Sequence, residues 1–219
     1  YPNFIASEAG RGNEWNAFSE GSPPEHETIL PFTRLMGGPM DYTPGIFKLR
    51  NYAKDAPARQ MHTTLAKQLA LYITMYSPLQ MAADLPENYE AHLDAFQFIK
   101  EVGVDWDDTQ IVEAEPGDYL TIARNEKGTG KWFIGAITDE NARLATVSLS
   151  FLKKGVKYVA TIYADGEGAD WKTNPEAYKI EKFIVDESSV LKLKLANGGG
   201  AAISLWPATA EDLKGLNEY

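Results

Sequence analysis

Ser7-Glu8-Ala9-Gly10-Arg11-Gly12-Asn13-Glu14-Trp15-Asn16 carries two glutamates, six residues apart, in one short glycine-containing stretch. Just before it lies Phe4-Ile5-Ala6, an apolar run that reads as a buried strand. Carboxylates that arrive where a buried strand gives way to a glycine-rich loop are typical of barrel enzymes. In those, reacting groups hang from the C-terminal ends of parallel strands. A second reading stays open from these residues alone: two solvated glutamates in a polar loop.

The surrounding hundred residues repeat the strand-then-helix rhythm. Residues 3–7, 37–41 and, after Pro78, 80–83 read as strand ends. Between them, residues 63–76 place Leu65, Leu69, Tyr72, Ile73 and Tyr76 at i+3/i+4 spacing, one apolar stripe of a helix that Pro78 ends. A second helix is expected over 90–101, with Leu93, Phe96, Ile99 and Val102 on one side and Gly103 as its stop. This βα alternation belongs to a parallel sheet. Three strands neither close a barrel of eight nor bury both faces of an open sheet. Residues 1–103 therefore read as the C-terminal part of a larger (β/α)8 catalytic barrel.

After Gly103 the period changes from 3.6 to 2. Strands are expected at 111–112, 119–123, 132–137, 145–149, 158–163, 179–185, 190–195 and 201–206. Turn signals separate them, among them Pro116-Gly117-Asp118, Asp165-Gly166 and Asn197-Gly198-Gly199-Gly200. Short strands at this spacing read as an antiparallel β-sandwich over residues 104–219. The glycine run reads as a hairpin turn, because no helix follows it to make a phosphate cradle.

Composition narrows the function classes. The 219 residues are 44% hydrophobic and 11% aromatic, enough for a packed core. With 31 acidic against 21 basic residues, the net charge is −10, which repels a nucleic-acid backbone. No cysteine is present, so disulfides, thiolate zinc sites and cysteine nucleophiles are excluded. His26, His62 and His92 stand at no metal-ligand spacing, so any metal is expected on oxygens and hence hard, such as calcium. No stretch approaches the roughly 20 apolar residues of a membrane span. A chain that opens at Tyr1 is expected to have lost an amino-terminal part, with any targeting segment.

The densest motif runs Ser22-Pro23-Pro24-Glu25-His26-Glu27-Thr28-Ile29-Leu30-Pro31-Phe32-Thr33-Arg34 and continues into Gly37-Gly38-Pro39-Met40-Asp41-Tyr42-Thr43-Pro44-Gly45. Five prolines and glycines among the last nine residues imply a fixed, irregular path, and such rigid loops commonly serve a site. Taken with Glu8–Ala17, these three motifs, in this order, resemble glycoside hydrolase family 97, which contains α-glucosidases and α-galactosidases. The resemblance covers the whole chain in layout and is most specific over residues 7–47. It implies a barrel whose sixth strand lies near Tyr1, followed by a terminal sandwich. It also implies an α-linked oligosaccharide or α-glycoside as substrate, a calcium cofactor and export to the periplasm.

By that resemblance Glu14 is the general acid, and Glu8 is a calcium ligand, with Glu14 also close to the ion. Glycoside hydrolysis needs one carboxylic acid to protonate the leaving oxygen and a second carboxylate to activate water or attack the sugar. Two glutamates supply a minority of the six to eight oxygens calcium takes. The remaining ligands and the base or nucleophile are then expected upstream of Tyr1, in the missing N-terminal part of the same protein. A cation beside Glu14 lowers its pKa whereas a general acid wants it raised, a tension that burial against Trp15 could offset.

Other residues carry paired readings. Glu25, His26 and Glu27 read as a helix start after Pro23-Pro24, ahead of direct sugar contact. Trp15 reads as core or as a sugar-stacking ring, and Asp41 as a sugar-binding carboxylate or a structural hydrogen-bonding group. Arg11 and Arg34 are expected to pair with nearby carboxylates, and His62 and His92 to be surface or capping groups. Trp132, Trp171 and Trp206 read as core or interface. If they instead formed a sugar-binding face, the alternative function would be a non-catalytic carbohydrate-binding module.

Overall fold

The computed structural model describes residues 5–50 and 59–219. Phe4, part of the expected first strand, lies outside them. Two short helices come first, α1 (Trp15–Phe18) and α2 (His26–Ile29), then 3-10 turns at Leu30–Phe32 and Arg34–Gly37. They are followed by α3 (Leu65–Thr74), α4 (Pro86–Glu90) and α5 (Leu93–Glu101). Eight strands come next: β1 (Trp106–Glu115), β2 (Tyr119–Glu126), β3 (Trp132–Thr138), β4 (Arg143–Ser148), β5 (Tyr158–Asp165), β6 (Tyr178–Val185), β7 (Val190–Leu195) and β8 (Gly200–Pro207). A last turn of helix, α6, spans Asp212–Gly215.

All eight expected strands are present and every pairing among them is antiparallel. Six form one sheet in the order β1-β2-β3-β8-β5-β6, and β4 with β7 forms a second layer. Ile134 and Ile162 both face Ile203 across the ladder, so the centre of the large sheet is β3-β8-β5. Its two faces are both buried. On one, Ala145, Val147, Leu191, Leu193 and Leu195 of the small sheet pack against Ile134, Ala160, Ile162 and Leu205. On the other, Leu65, Leu69 and Ile73 of α3 and Phe98 of α5 pack against Leu120, Ile122, Phe133, Ile137 and Tyr163. Phe98 meets Phe133 and Tyr163 edge-on, with centroids 6.1 and 5.4 Å apart. One core therefore joins residues before and after 103.

Helix α3 is the keystone. Its N-cap Thr64 accepts a hydrogen bond from Lys67 N (3.2 Å), and its first amides reach into the sandwich: Thr64 N donates to Gly198 O and Leu65 N to Pro175 O. Every residue from Leu65 to Thr74 is buried, including Lys67, Gln68 and Thr74. The single apolar stripe expected of this helix is thus one face of an element covered all round. The helix can lie this close to the sheet because Gly135 and Gly200 offer no β-carbon. A β-carbon at 135 would stand 2.6 Å from Ala70 O, and one at 200 would stand 2.9 Å from Lys67 Cα.

Four local expectations are corrected. The helix expected over 90–101 breaks at His92 (φ −140°, ψ 47°) into α4 and α5, and Leu93 is exposed while Ala95 and Phe98 turn inward. Val102 is already extended where α5 ends, and Gly103 after it has no positive φ, so it is not a left-handed stop. Residues 80–83 form no strand, since Met40 N takes its partner, Tyr76 O (3.2 Å), from the segment before Pro78. Ile5 is 58% exposed rather than buried, and within the described part of the expected first strand the backbone bonds run from Ser7 to Pro39 and Asp41.

Candidate active site

Ser7 and Met40 form a parallel bridge: Ser7 N donates to Pro39 O (3.3 Å) and Asp41 N to Ser7 O (3.1 Å). Glu8 and Asp41 therefore leave two adjacent parallel segments at the same end. Arg34 stitches that end together. Its guanidinium donates to Glu8 O (3.0 Å), Ser7 O (2.7 Å), Ser7 Oγ (2.7 Å), Gly38 O (3.1 Å) and Pro39 O (3.3 Å). It was expected to pair with a carboxylate, but four backbone carbonyls and the Ser7 hydroxyl take its donors instead. Arg11 likewise sits over the Trp15 ring, 5.0 Å from its centroid.

Past Glu8 the chain turns through Ala9, at φ +43°, and returns through Gly12 to Glu14. The Glu14 carboxyl lies over Gly12, where a β-carbon would stand 2.5 Å from Oε2. Thr43 Oγ1 donates to that same Oε2. Thr43 itself is held at φ +57°, a conformation that costs a β-branched residue about 1–3 kcal/mol and persists where surroundings over-determine it. Asn13 supplies that determination: its N–H donates to Tyr42 O (2.8 Å) and its amide Nδ2 to Thr43 O (3.2 Å).

The two glutamates of the opening stretch come together. Glu8 is exposed, and its carboxyl hydrogen-bonds that of Glu14. That bond first, then the charge of Glu14, then desolvation and the charge of Asp41 raise its pKa above the ordinary carboxylate value. Two like-charged groups in contact are compensated by a shared proton or by a cation. The donors here are hard oxygens only, which suits calcium or a similar ion. Two carboxylates are not a complete shell: among the described residues no group of three or more His, Cys, Asp or Glu is arranged to hold a metal.

Residues 25–27 do start a helix, α2, and Glu27 in its first turn is buried. Lys67 Nζ lies 2.9 Å from its Oε2 and also donates to Pro24 O (2.9 Å) and Thr138 O (2.8 Å), while Tyr42 Oη donates to Glu27 Oε1 (2.8 Å). Burial and the neighbouring Glu27 raise the Tyr42 pKa well above its usual value, so the phenol stays a donor. This network and Gln68 were not foreseen. The one signal for them was a lysine and a glutamine inside an otherwise apolar helix. His26 bonds Arg11 O (2.9 Å). His62 bonds Ser22 O (2.9 Å) and packs on Trp171, and burial lowers its pKa. His92 meets Tyr178 Oη at 3.3 Å.

The sandwich tryptophans are all engaged. Trp132 packs on Phe151, Trp171 between His62 and the Gly198 turn, and Trp206 beneath Lys131. A groove of about 810 Å³ lies on the sandwich flank, lined by Asp165, Lys179, Phe183, Lys194 and Tyr219, away from Glu14. No helix of the described residues is long and apolar enough to cross a membrane.

Comparison with known proteins follows the same layout. The family described as glycosyl-hydrolase 97 C-terminal, oligomerisation, matches residues 105–206. A protein named retaining alpha-galactosidase from Bacteroides thetaiotaomicron is 35% identical over 211 residues, which are 94% of this chain and 31% of that protein. A solved glycoside hydrolase family 97 enzyme from Pseudoalteromonas sp. strain K8, in complex with panose, is 47% identical with a TM-score of 0.91. The match covers 95% of this chain and 32% of that one. The same enzyme in complex with acarbose superposes equally well, at 48% identity, again over 95% and 32% of the two chains. This chain thus spans about a third of the length of the proteins it matches.

Proposed function

The chain belongs to glycoside hydrolase family 97, and on that footing we propose that it is the C-terminal part of an α-glycosidase acting on α-linked glucosides or galactosides. Residues 1–103 are read as the last portion of the (β/α)8 barrel and residues 104–219 as the terminal sandwich. The description of the matched family makes that sandwich the surface through which copies of the protein associate. The base or nucleophile, and the rest of the sugar pocket, come from the remaining length of the protein. Membership also supports export to the periplasm, which cell fractionation of the native protein tests.

The observation that carries this reading is the meeting of Glu8 and Glu14 at the shared end of two parallel segments. Glu14 is the general acid: its carboxyl hands a proton to the glycosidic oxygen as the bond to the sugar breaks. Thr43 and Gly12 hold it to one rotamer, which keeps the proton aimed at one point. Glu8 and Glu14 would together offer carboxylate oxygens to calcium, which when bound would supply a fixed positive charge to the site.

Hydrolysis by the complete protein of panose and of an α-linked galactobioside, with wild type and Glu14→Gln, tests the assignment. A loss of about 10²–10⁴-fold in kcat with binding retained is expected, and unaltered turnover by Glu14→Gln would refute it. Glu8→Gln should weaken calcium binding in direct titration; an unchanged affinity would remove Glu8 from the ligand set.

A further inference from the structure

Gln68 is fully buried in α3, and its Oε1 gathers three hydrogen-bond donors: Asn13 Nδ2 (3.0 Å), Gly45 N (3.0 Å) and Ile46 N (3.1 Å). Asn13 directly precedes Glu14, and Gly45 and Ile46 follow shortly after Thr43, whose hydroxyl holds the Glu14 carboxyl. One amide oxygen is therefore the common anchor of both loops that meet at Glu14. The anchor itself cannot drift. Its helix is buried on all sides and seated against the sheet at Gly135 and Gly200. The neighbouring Lys67 ties the same turn to Thr138 O at the end of β3 and to Pro24 O before α2.

We propose that Gln68 is the positioning residue for the acid Glu14, and that through α3 the C-terminal sandwich braces the proton-donating loop as well as carrying the oligomer contact. The inference rests on the reading of Glu14 as general acid. A three-donor acceptor at 68 fixes the separation of the 13–16 and 43–46 loops, so it sets where the Glu14 carboxyl stands. Remove the acceptor and two backbone amides, Gly45 buried and Ile46 half-buried, lose their partner. The loops then separate, and the proton no longer reaches the leaving oxygen.

The test uses the complete protein and substrates that differ in how much they need the acid. A disaccharide has a poor alkoxide leaving group and depends on protonation, whereas a 2,4-dinitrophenyl α-glycoside leaves unaided. Glu14→Gln calibrates the scale: it must lose much more on the disaccharide than on the activated substrate. If it does not, the underlying reading of Glu14 fails, whatever Gln68 does. Given that calibration, Gln68→Met, which keeps volume and removes the acceptor, should lose about 10- to 100-fold on the disaccharide and less than about 3-fold on the activated glycoside, with KM little changed. Gln68→Glu keeps an acceptor oxygen and should restore most of the disaccharide rate. Should Gln68→Met fail to fold, Asn13→Leu interrogates the same contact with the same expected pattern. Equal losses on both substrates, no loss on either, or failure of Gln68→Glu to restore the rate would overturn the proposal.

Discussion

The Glu14 carboxyl lies over the α-carbon of Gly12, close enough that a β-carbon there would stand 2.5 and 2.7 Å from its two oxygens. Gly12→Ala must therefore displace a flexible side-chain end rather than backbone. The variant should fold, with a stability loss under about 1 kcal/mol. Its kcat in the complete protein should still fall about 10²-fold, since a misplacement near 1 Å suffices for that. Thermal unfolding beside steady-state kinetics separates the two effects.

Lys67 and Glu27 form a buried ion pair, with side chains 0% and 6% exposed. Lys67→Met leaves Glu27 and the Tyr42 hydroxyl around an uncompensated charge, and should destabilise by about 3–5 kcal/mol. Lys67→Met with Glu27→Gln removes that charge and should recover much of the loss, since Tyr42 can still donate to the amide. Urea denaturation of the two single variants and the double gives the coupling.

The approach of α3 to the sheet makes a sharper steric demand. A β-carbon at Gly135 meets the Ala70 carbonyl at 2.6 Å and the Ile73 β-carbon at 2.8 Å, neither of which can swing aside. Gly135→Ala should cost about 1–3 kcal/mol. The measurement is the shift in the urea midpoint, against Gly128→Ala, where a β-carbon meets nothing within 4 Å and the cost comes only from its positive φ.

Asp165 gives a pH signature. Its carboxyl accepts the amides of Ala196 (2.8 Å) and Gly200 (2.9 Å) at the turn before β8. Burial nevertheless pushes its pKa up to about 6 from 3.8, against the Thr64 hydroxyl, those amides and the Lys67 charge. A raised acid stabilises the fold fully below its unfolded pKa and loses that contribution as pH rises through the folded one. The stability of wild type relative to Asp165→Asn should therefore fall by about 2 kcal/mol between pH 4 and 7. A flat difference across that range would contradict the assignment.

The strands after Gly103 were legible because turn signals bound them and several, such as β4 and β7, carry their own alternation. What they hid was the covering of both sheet faces. Trp132-Phe133-Ile134-Gly135-Ala136-Ile137 is a continuous apolar run rather than an alternating one, and it is buried throughout β3. The six-residue spacing of Glu8 and Glu14 suggested a shared site, and the local turn through Ala9 and Gly12 brings the two carboxyls together. Thr43, Gln68 and the Lys67–Glu27 pair were not readable, since Glu14 for Thr43, Asn13, Gly45 and Ile46 for Gln68, and Glu27 for Lys67 stand 22 to 55 residues away along the chain. A charged or amide side chain looks solvated until its distant partner is known. Helix α3 shows the same limit: its stripe was visible, but burial of its polar side was set by the loops packed on it.

Glu14 as proton donor is tested most directly by the pH dependence of kcat/KM on an α-linked oligosaccharide, for the complete protein and its Glu14→Gln variant. Wild type should lose activity on the alkaline side as the acid deprotonates, whereas Glu14→Gln should be slower by about 10²–10⁴-fold and show no such alkaline limb. The same alkaline limb in both proteins would contradict the account.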